Sequence, residues 1–268
     1  MSEATSQAMS HALSSQAISG QATLDRPDVA EATLQGPNGS FPFYLFKSEA
    51  CFQVANDIFA GSTYPIVPAV FGVKTVVDIG ANVGAASVYL ATAYPEARVY
   101  ALEPAIFPLS LLRRNVATLP NVKVFPFGLH SSEKTVTLFH GRTDSVESSL
   151  SCSTRTTSES EQIHVVEASR FLSDQGIDQI DVLKIDTEGC EVPILRSLKA
   201  YLPDVKVLYV EYHSERDRRL IDSILAETHV LWRGHINFAY RGEFCYLKRE
   251  LVPDESETHT CEILMNLE

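Results

Sequence analysis

Short apolar runs alternate with stretches of helical spacing from residue 74 to residue 228. The apolar runs, rich in Val, Ile and Leu, predict buried strands at 75–79, 98–102, 122–127, 182–185 and 205–210. Apolar residues at helical spacing predict helices that begin at 85, span 106–118, carry residues 192–198 and span 214–228. Strands that alternate with helices favour a parallel, doubly wound α/β sheet with right-handed crossovers.

Antiparallel hairpins are predicted at both ends of this alternating region. Apolar residues on either side of Gly36-Pro37-Asn38-Gly39 predict a hairpin over 32–46, and a helix over 52–59 follows it. At the other end, residues 231–247 predict a closing antiparallel hairpin with its turn around Arg241-Gly242-Glu243.

One long segment lacks the pattern of a core element. Residues 142–161 are crowded with Ser and Thr, which predicts a loop between short strands near 135–139 and 163–166. A long loop in a compact domain is more often functional than filler, so we interpret it as an insertion over the ligand site. The whole pattern divides the chain into three parts, namely a flexible N-terminal tail or arm (1–31), a lid or substrate segment (32–72) and the main ligand-binding domain (73–268).

The first strand of the alternating region leads into a glycine turn. Val76, Val77 and Ile79 form the buried run, and Asp78 interrupts it. The turn itself is Gly80-Ala81-Asn82-Val83-Gly84, in which glycines permit a sharp bend and a close approach of the backbone. The helix that starts at Ala85 points its N-terminal amides into this turn, so the layout is typical of a nucleotide-binding turn.

Two features of the turn indicate which nucleotide it binds. The dinucleotide motif Gly-x-Gly-x-x-Gly is missing its middle glycine, and the charge of Asp78 would repel a pyrophosphate. A carboxylate there suits the amino group of S-adenosylmethionine, and Glu103, after the second strand, suits the two ribose hydroxyls. The alternative for Asp78 is a buried acid that caps its own turn. The adenine ring is expected at the end of the third strand, beside Gly128-Leu129-His130.

Acidic residues also follow the fourth strand. Asp186 ends that strand, and Glu188 lies in the junction to the next helix, which Thr187 is expected to cap. Because ligands of open α/β sheets lie beyond the carboxyl ends of the strands, Asp186 and Glu188 are candidate site residues. For Glu191, at the start of the helix, complementing the helix dipole is a sufficient role.

The fifth strand ends in Glu211-Tyr212-His213. Glu211 and His213 have the same parity along the strand and are expected to point to one side. Because histidine titrates near neutral pH, His213 is the first candidate for a general base, with Asp186, Glu188 and Glu211 as alternatives. Capping of the following helix is an equally compatible role for His213.

Composition narrows the classes of partner. The chain has 268 residues and a formal net charge of −12, which argues against a nucleic-acid backbone as the main partner. No apolar run is long enough for a membrane span. Five scattered cysteines without a Cys-x-x-Cys pair indicate free thiols in a reducing compartment, and hence a cytoplasmic protein. The chain leaves a homodimer open.

These motifs together resemble the FkbM family of S-adenosylmethionine-dependent methyltransferases. The residues that carry the resemblance are 77–84, 100–104, 148–150, 181–191 and 210–213. The resemblance implies a class I methyltransferase fold, which is Rossmann-like with a mostly parallel sheet and a C-terminal antiparallel hairpin. It implies that Asp78, Gly80, Ala81, Asn82 and Gly84 hold the methionyl part of the cofactor, Glu103 the ribose and Gly128 and Leu129 the adenine edge, with Pro104 and Asp186 as further cofactor contacts.

The resemblance also implies O-methylation of a hydroxyl on a sugar, a polyketide or another secondary metabolite. In this hypothesis the protein aligns the hydroxyl with the methyl group and removes its proton. In a second version the acids bind a divalent cation that lowers the pKa of the hydroxyl, although no ligand spacing assigns a metal site. Two rivals are an NAD-dependent oxidoreductase, which fails on the missing glycine, and a non-catalytic binding module of the same fold.

Overall fold

The computed structural model describes residues 28–141, 156–238 and 240–253. Its strands are β1 (Val29–Gly36), β2 (Gly39–Phe46), β3 (Thr75–Ile79), β4 (Arg98–Leu102), β5 (Val122–Phe125), β6 (Gly128–His130), β7 (Lys134–Gly141), β8 (Thr156–Glu167), β9 (Val182–Ile185), β10 (Val207–Tyr212), β11 (His229–Phe238) and β12 (Arg241–Lys248). Its α-helices are α1 (Glu49–Phe59), α2 (Ala85–Ala93), α3 (Ile106–Asn115), α4 (Ala168–Asp174), α5 (Glu191–Ser197) and α6 (Glu215–Leu225). Two short 3-10 helices span Leu202–Asp204 and Arg249–Leu251.

A seven-stranded sheet in the order β11-β12-β10-β9-β3-β4-β5 forms the centre of the fold. The strands from β10 to β5 in that order are parallel, whereas β12 runs antiparallel to β10 and β11 antiparallel to β12. This confirms the predicted mostly parallel sheet and its closing hairpin. The order changes direction between β3 and β9, and ligands of doubly wound sheets bind at such a switch point.

Side chains alternate between two hydrophobic layers along each central strand. On β3, Val76 belongs to one layer and Val77 and Ile79 to the other, as the two-residue period of a strand requires. Helices α1, α2 and α3 cover the first face, and α4, α5 and α6 cover the second. The sheet is therefore doubly wound.

The N-terminal hairpin packs on the first face. Leu34 of β1 and Phe43 of β2 are fully buried in the same cluster as α1 and α2. The side-chain amide of Asn115, at the end of α3, donates to the carbonyls of Tyr44 and Val83, and its oxygen accepts from the amide of Tyr44. One side chain thus ties the hairpin to the glycine turn. The predicted role of 32–72 as a lid stays a prediction.

Several predicted boundaries are corrected by the structure. The strand predicted over 122–127 ends at Phe125, and the helix predicted over 106–118 ends at Asn115. The loop prediction is wrong for 156–161, which form the start of β8, because pairing with β7 satisfies a backbone whose polar side chains give no strand signal. Residues 142–155 and 1–27 lie outside the described part of the chain.

The turn of the closing hairpin does not lie where the sequence predicted it. Arg241-Gly242-Glu243 begins β12 and does not form the turn, since Arg241 pairs with Phe238 across the hairpin. Cys51, Cys190 and Cys245 are buried free thiols, which confirms the prediction for the cysteines that the structure describes. Among the described residues, no helix has the length and apolar character needed to cross a membrane.

Replacement of Asn115 tests the link between hairpin and turn. We expect Asn115→Ala to lower the free energy of unfolding by about 2–3 kcal/mol, because it leaves partly buried backbone groups of Tyr44 and Val83 without their partner. Urea denaturation measures the change. Asn56→Ala, which removes a surface contact to the Phe52 carbonyl, is the control and is expected to cost less than about 0.5 kcal/mol. Equal losses in the two variants would contradict the link.

Candidate active site

The carboxyl ends of β3, β9 and β10 bring the predicted site residues together. The register of these strands places Gly80, Asp186 and Glu211 in a row, and Glu211 pairs directly with Glu243 of β12. By strand parity these positions share the face of the sheet that α1, α2 and α3 cover. The turn for a nucleotide and the acids after the fourth and fifth strands therefore meet at one edge.

Asp78 lies beneath this edge and meets a lysine. The carboxylate is fully buried, accepts a 2.6 Å hydrogen bond from the Ser87 hydroxyl and lies 3.2 Å from the Lys184 ammonium. Sequence reasoning did not predict this pairing, and the partners of Asp78 lie beyond the turn that it was alternatively expected to cap. A direct contact with the amino group of the cofactor stays a prediction.

The glycine turn lies directly against the end of β9. Gly80 has a φ of +79°, and a Cβ there would lie 1.8 Å from the carbonyl oxygen of Asp186. Asn82 and Gly84 also have positive φ values, and Gly84 is the N-cap of α2. Only a residue without a side chain fits at Gly80, so the close contact between the turn and the end of β9 requires a glycine there.

Glu103 connects the turn to the end of β4. One carboxylate oxygen accepts from the amide of Asn82 and the other from the amide of Ala105, each at 2.8 Å. Burial raises the pKa of Glu103 to about 7, against the effect of these two hydrogen bonds. Each oxygen retains a lone pair, so the predicted role toward a ribose is compatible with the geometry and stays a prediction.

The residues expected beside the adenine ring do not lie at the end of the third parallel strand, as the sequence predicted. Gly128 and Leu129 belong to β6, which pairs with β8 outside the central sheet. The Leu129 side chain is buried in the second hydrophobic layer, which leaves its backbone for any ligand contact, whereas Pro104 is half-buried beside Gly128. The carboxylate of Glu161, on β8, reaches the amide of Ile106 at 3.3 Å and was missed because it lay in the predicted loop.

Asp186 and Glu211 form a coupled pair of acids. Burial and the neighbouring Asp186 raise the pKa of Glu211 well above its usual range. Although burial opposes ionisation, Lys184 and a hydrogen bond from Glu211 lower the pKa of Asp186. The two groups therefore titrate as a pair, in which Asp186 is the more acidic member and Glu211 the less acidic one. Arg241 donates to Glu211 at 2.5 Å and to Glu188 at 3.3 Å.

His213 lies among acids. Its Nε2 is 2.9 Å from Glu188 and 3.6 Å from Glu211, and its Nδ1 is 3.5 Å from Glu191. Burial disfavours the charged ring, but the hydrogen bonds to Glu188 and Glu191 outweigh it and raise the pKa of His213 to about 11. The ring is thus a protonated hydrogen-bond donor at neutral pH.

The loop before α5 is held by a glutamate. Thr187 was predicted to cap this helix, but the N-cap residue is Cys190 and Thr187 itself donates to Glu191. Glu191 also accepts from the amide of Gly189 and is almost fully buried. Glu191 therefore holds the loop together and faces His213. These contacts go beyond the predicted interaction with the helix dipole.

Besides Glu161, sequence reasoning missed three site residues, namely Lys184, Arg241 and Tyr64. Lys184 and Asp78 each interrupt an apolar strand, and this matched interruption was a usable signal that they pair. Arg241 was placed in a turn. Tyr64, from the segment before β3, has its ring 6.0 Å from Lys184; burial, with Asp186 and Glu211 nearby, raises its pKa well above the usual range.

The acids have the spacing of a cation site. One ligand atom from each of Asp186, Glu188, Glu211 and His213 lies within 4.8 Å of the others, and carboxylate oxygens are preferred ligands of Mg²⁺ and Ca²⁺. Two of these acids, Glu188 and Glu211, already face the positive charge of Arg241, and Glu188 also faces the protonated His213.

The sheet order, the glycine turn and the acid at the end of β4 agree with the class I methyltransferase fold expected from the sequence. Residues 78–234 match the family described as the methyltransferase FkbM domain. This match covers more than half of the chain, and the protein belongs to that family. It is accordingly an S-adenosylmethionine-dependent methyltransferase.

The sequence identity to individual relatives is below 30%. Methyltransferase sdnD of Sordaria araneosa is 29% identical in an alignment of length 187 that covers 58% of this chain and 71% of that protein. The 31-O-demethyl-FK506 methyltransferase FkbM of Streptomyces tacrolimicus is 28% identical in an alignment of length 243 that covers 78% of this chain and 89% of that protein. The structure of Aeropyrum pernix fibrillarin with natively bound S-adenosyl-L-methionine covers 86% of each chain, with 13% identity and a TM-score of 0.46.

The pKa of Glu103 predicts how cofactor affinity depends on pH. Because the carboxylate form exists above a pKa of about 7 and only that form accepts both ribose hydroxyls, the affinity for S-adenosylhomocysteine is expected to be full at pH 8. It falls about tenfold by pH 6 as the group protonates. Calorimetric titration at several pH values measures it. In Glu103→Gln the affinity should be weak and independent of pH; a variant that keeps the wild-type profile would contradict the assignment.

Proposed function

We propose that the protein is an O-methyltransferase that acts on a hydroxyl of a small molecule such as a sugar, a polyketide or another secondary metabolite. The observation that carries the proposal is the close contact between Gly80 of the glycine turn and the backbone carbonyl of Asp186. This contact brings the residue that bears the carboxylate next to the turn that we expect to hold the cofactor. The relative from Streptomyces tacrolimicus is named for an O-methyl transfer, which supports the choice of oxygen.

The cofactor supplies an electrophilic methyl group on a sulfonium, so the protein's task is to orient the acceptor and take its proton. We assign proton acceptance to Asp186, which is ionised and lies at the edge. The oxygen that receives a methyl group becomes a strong acid, and therefore a carboxylate of low pKa is basic enough. His213 was the first candidate from sequence, but it already carries a proton.

His213 and Arg241 take a different role in this proposal. Both are cationic donors, and each contacts Glu188 and Glu211. They hold these acids in place. A row of acids suits an uncharged polyol or an amine better than a phosphorylated acceptor.

Asp186→Asn tests the base. We expect methyl transfer from radiolabelled S-adenosylmethionine, measured on a panel of hydroxylated sugars and polyketides, to fall at least about a hundredfold. Asp174→Asn, on the exposed end of α4, is the matched control and should retain wild-type turnover. His213→Gln, which keeps a donor, should lose less than Asp186→Asn. The reverse order would return the role of base to His213.

A chelator separates this mechanism from the metal-assisted version. Since Arg241 and His213 neutralise part of the acid cluster, we expect turnover to survive dialysis against EDTA and to be unchanged when Mg²⁺ or Mn²⁺ is added back. A loss on dialysis that either ion restores would favour the cation at Asp186, Glu188, Glu211 and His213. Binding of S-adenosylhomocysteine without turnover on any acceptor would favour the non-catalytic module, and binding of NAD the oxidoreductase.

A further inference from the structure

Lys184 is a charged residue in the middle of the central sheet. It lies on β9, in register with Asp78 on β3 and with Tyr209 on β10. Its side chain is only 4% exposed. A buried ammonium costs several kcal/mol unless its protons find acceptors, so its contacts indicate why it is there.

Its ammonium donates a hydrogen bond to a backbone carbonyl and lies close to two carboxylates. The Nζ atom lies 2.5 Å from the carbonyl oxygen of Gly80, 3.2 Å from a carboxylate oxygen of Asp78 and 3.6 Å from one of Asp186. Gly80 and Asp78 flank the start of the cofactor turn, and Asp186 is the acid that we assign as base. One charge thus joins both halves of the site.

The surroundings keep this charge in place. Burial alone would lower the pKa of Lys184, but Asp78 and Asp186 outweigh it and raise the pKa, so the side chain stays an ammonium. The Tyr64 ring lies 6.0 Å from Nζ and contacts the ring of Tyr209, whose hydroxyl donates to the carbonyl of Pro65 at 2.6 Å. These aromatic residues close the space above Lys184.

We propose that Lys184 is a positioning residue that sets the conformation of the cofactor turn by holding the Gly80 carbonyl, and that fixes the Asp186 carboxylate against the same turn. Neutralising Asp78 is only one part of this role. A lysine whose sole task was to pair with Asp78 would not need the shortest of its three contacts, which goes to a backbone oxygen. The proposal rests on the use of S-adenosylmethionine.

Four variants test it by calorimetric titration with S-adenosylhomocysteine and by urea denaturation. Lys184→Met should weaken binding at least tenfold and also destabilise the fold, because Asp78 is left as an unpaired buried charge. Asp78→Asn combined with Lys184→Met removes both charges. This double variant should regain most of the stability but remain at least fivefold weaker in binding, because the Gly80 carbonyl still lacks its donor. Asp78→Asn alone completes the cycle.

Lys206→Met is the matched control. Lys206 pairs with the buried Asp181 at 2.7 Å and donates to the carbonyl of Phe71, which is the same combination of contacts at the opposite ends of the same strands. Its loss should lower stability and leave the affinity within about twofold of wild type.

Two results overturn the proposal. One is wild-type affinity in the double variant, which would reduce Lys184 to a counter-charge for Asp78, and the other is an equal loss of affinity in Lys206→Met. If Lys184→Met does not fold, the double variant decides. Failure of the wild-type protein to bind S-adenosylhomocysteine would instead remove the cofactor assignment itself, so the two failures are distinguishable.

Discussion

The buried pair of Asp78 and Lys184 is the interaction on which the site depends. Both side chains are essentially inaccessible to solvent, and removal of Lys184 leaves Asp78 as a buried charge without an ionic partner, which costs several kcal/mol. The pair is possible only if β3 and β9 are neighbours in the observed register. The same register places the cofactor turn beside Asp186, so the electrostatic requirement of the core and the geometry of the site are satisfied together.

The edge above this pair carries more acid than base, and the resulting proton distribution shapes its chemistry. Crowding by Asp186 raises the pKa of Glu211, and Glu188 and Glu191 keep a proton on His213. The histidine, which titrates near neutral pH in isolation, becomes a permanent donor in this environment. The proposed transfer to an uncharged hydroxyl relies on this distribution of charge.

Much of the fold follows from local sequence. The strands of the parallel sheet have β-branched and aliphatic runs that few other structures accommodate, and their predicted bounds agree closely with β3, β4 and β9. Prediction was weaker where backbone pairing, not side-chain pattern, fixes the structure. Residues 156–161 are polar yet form part of β8. Arg241 begins β12, although the stretch around it has the composition of a turn.

By itself, the sequence determined the class of the protein: the turn from Asp78 to Gly84, the acid at Glu103 and the acids around Asp186 lie at the ends of β3, β4 and β9, and the carboxyl ends of parallel strands share one edge. Only the tertiary structure decided the roles of individual groups. Whether a carboxyl group is ionised, or an imidazole can accept a proton, depends on charges within a few ångströms. The residues that carry those charges for His213 and Asp186, among them Lys184, Glu191 and Arg241, come from different elements that only folding brings together.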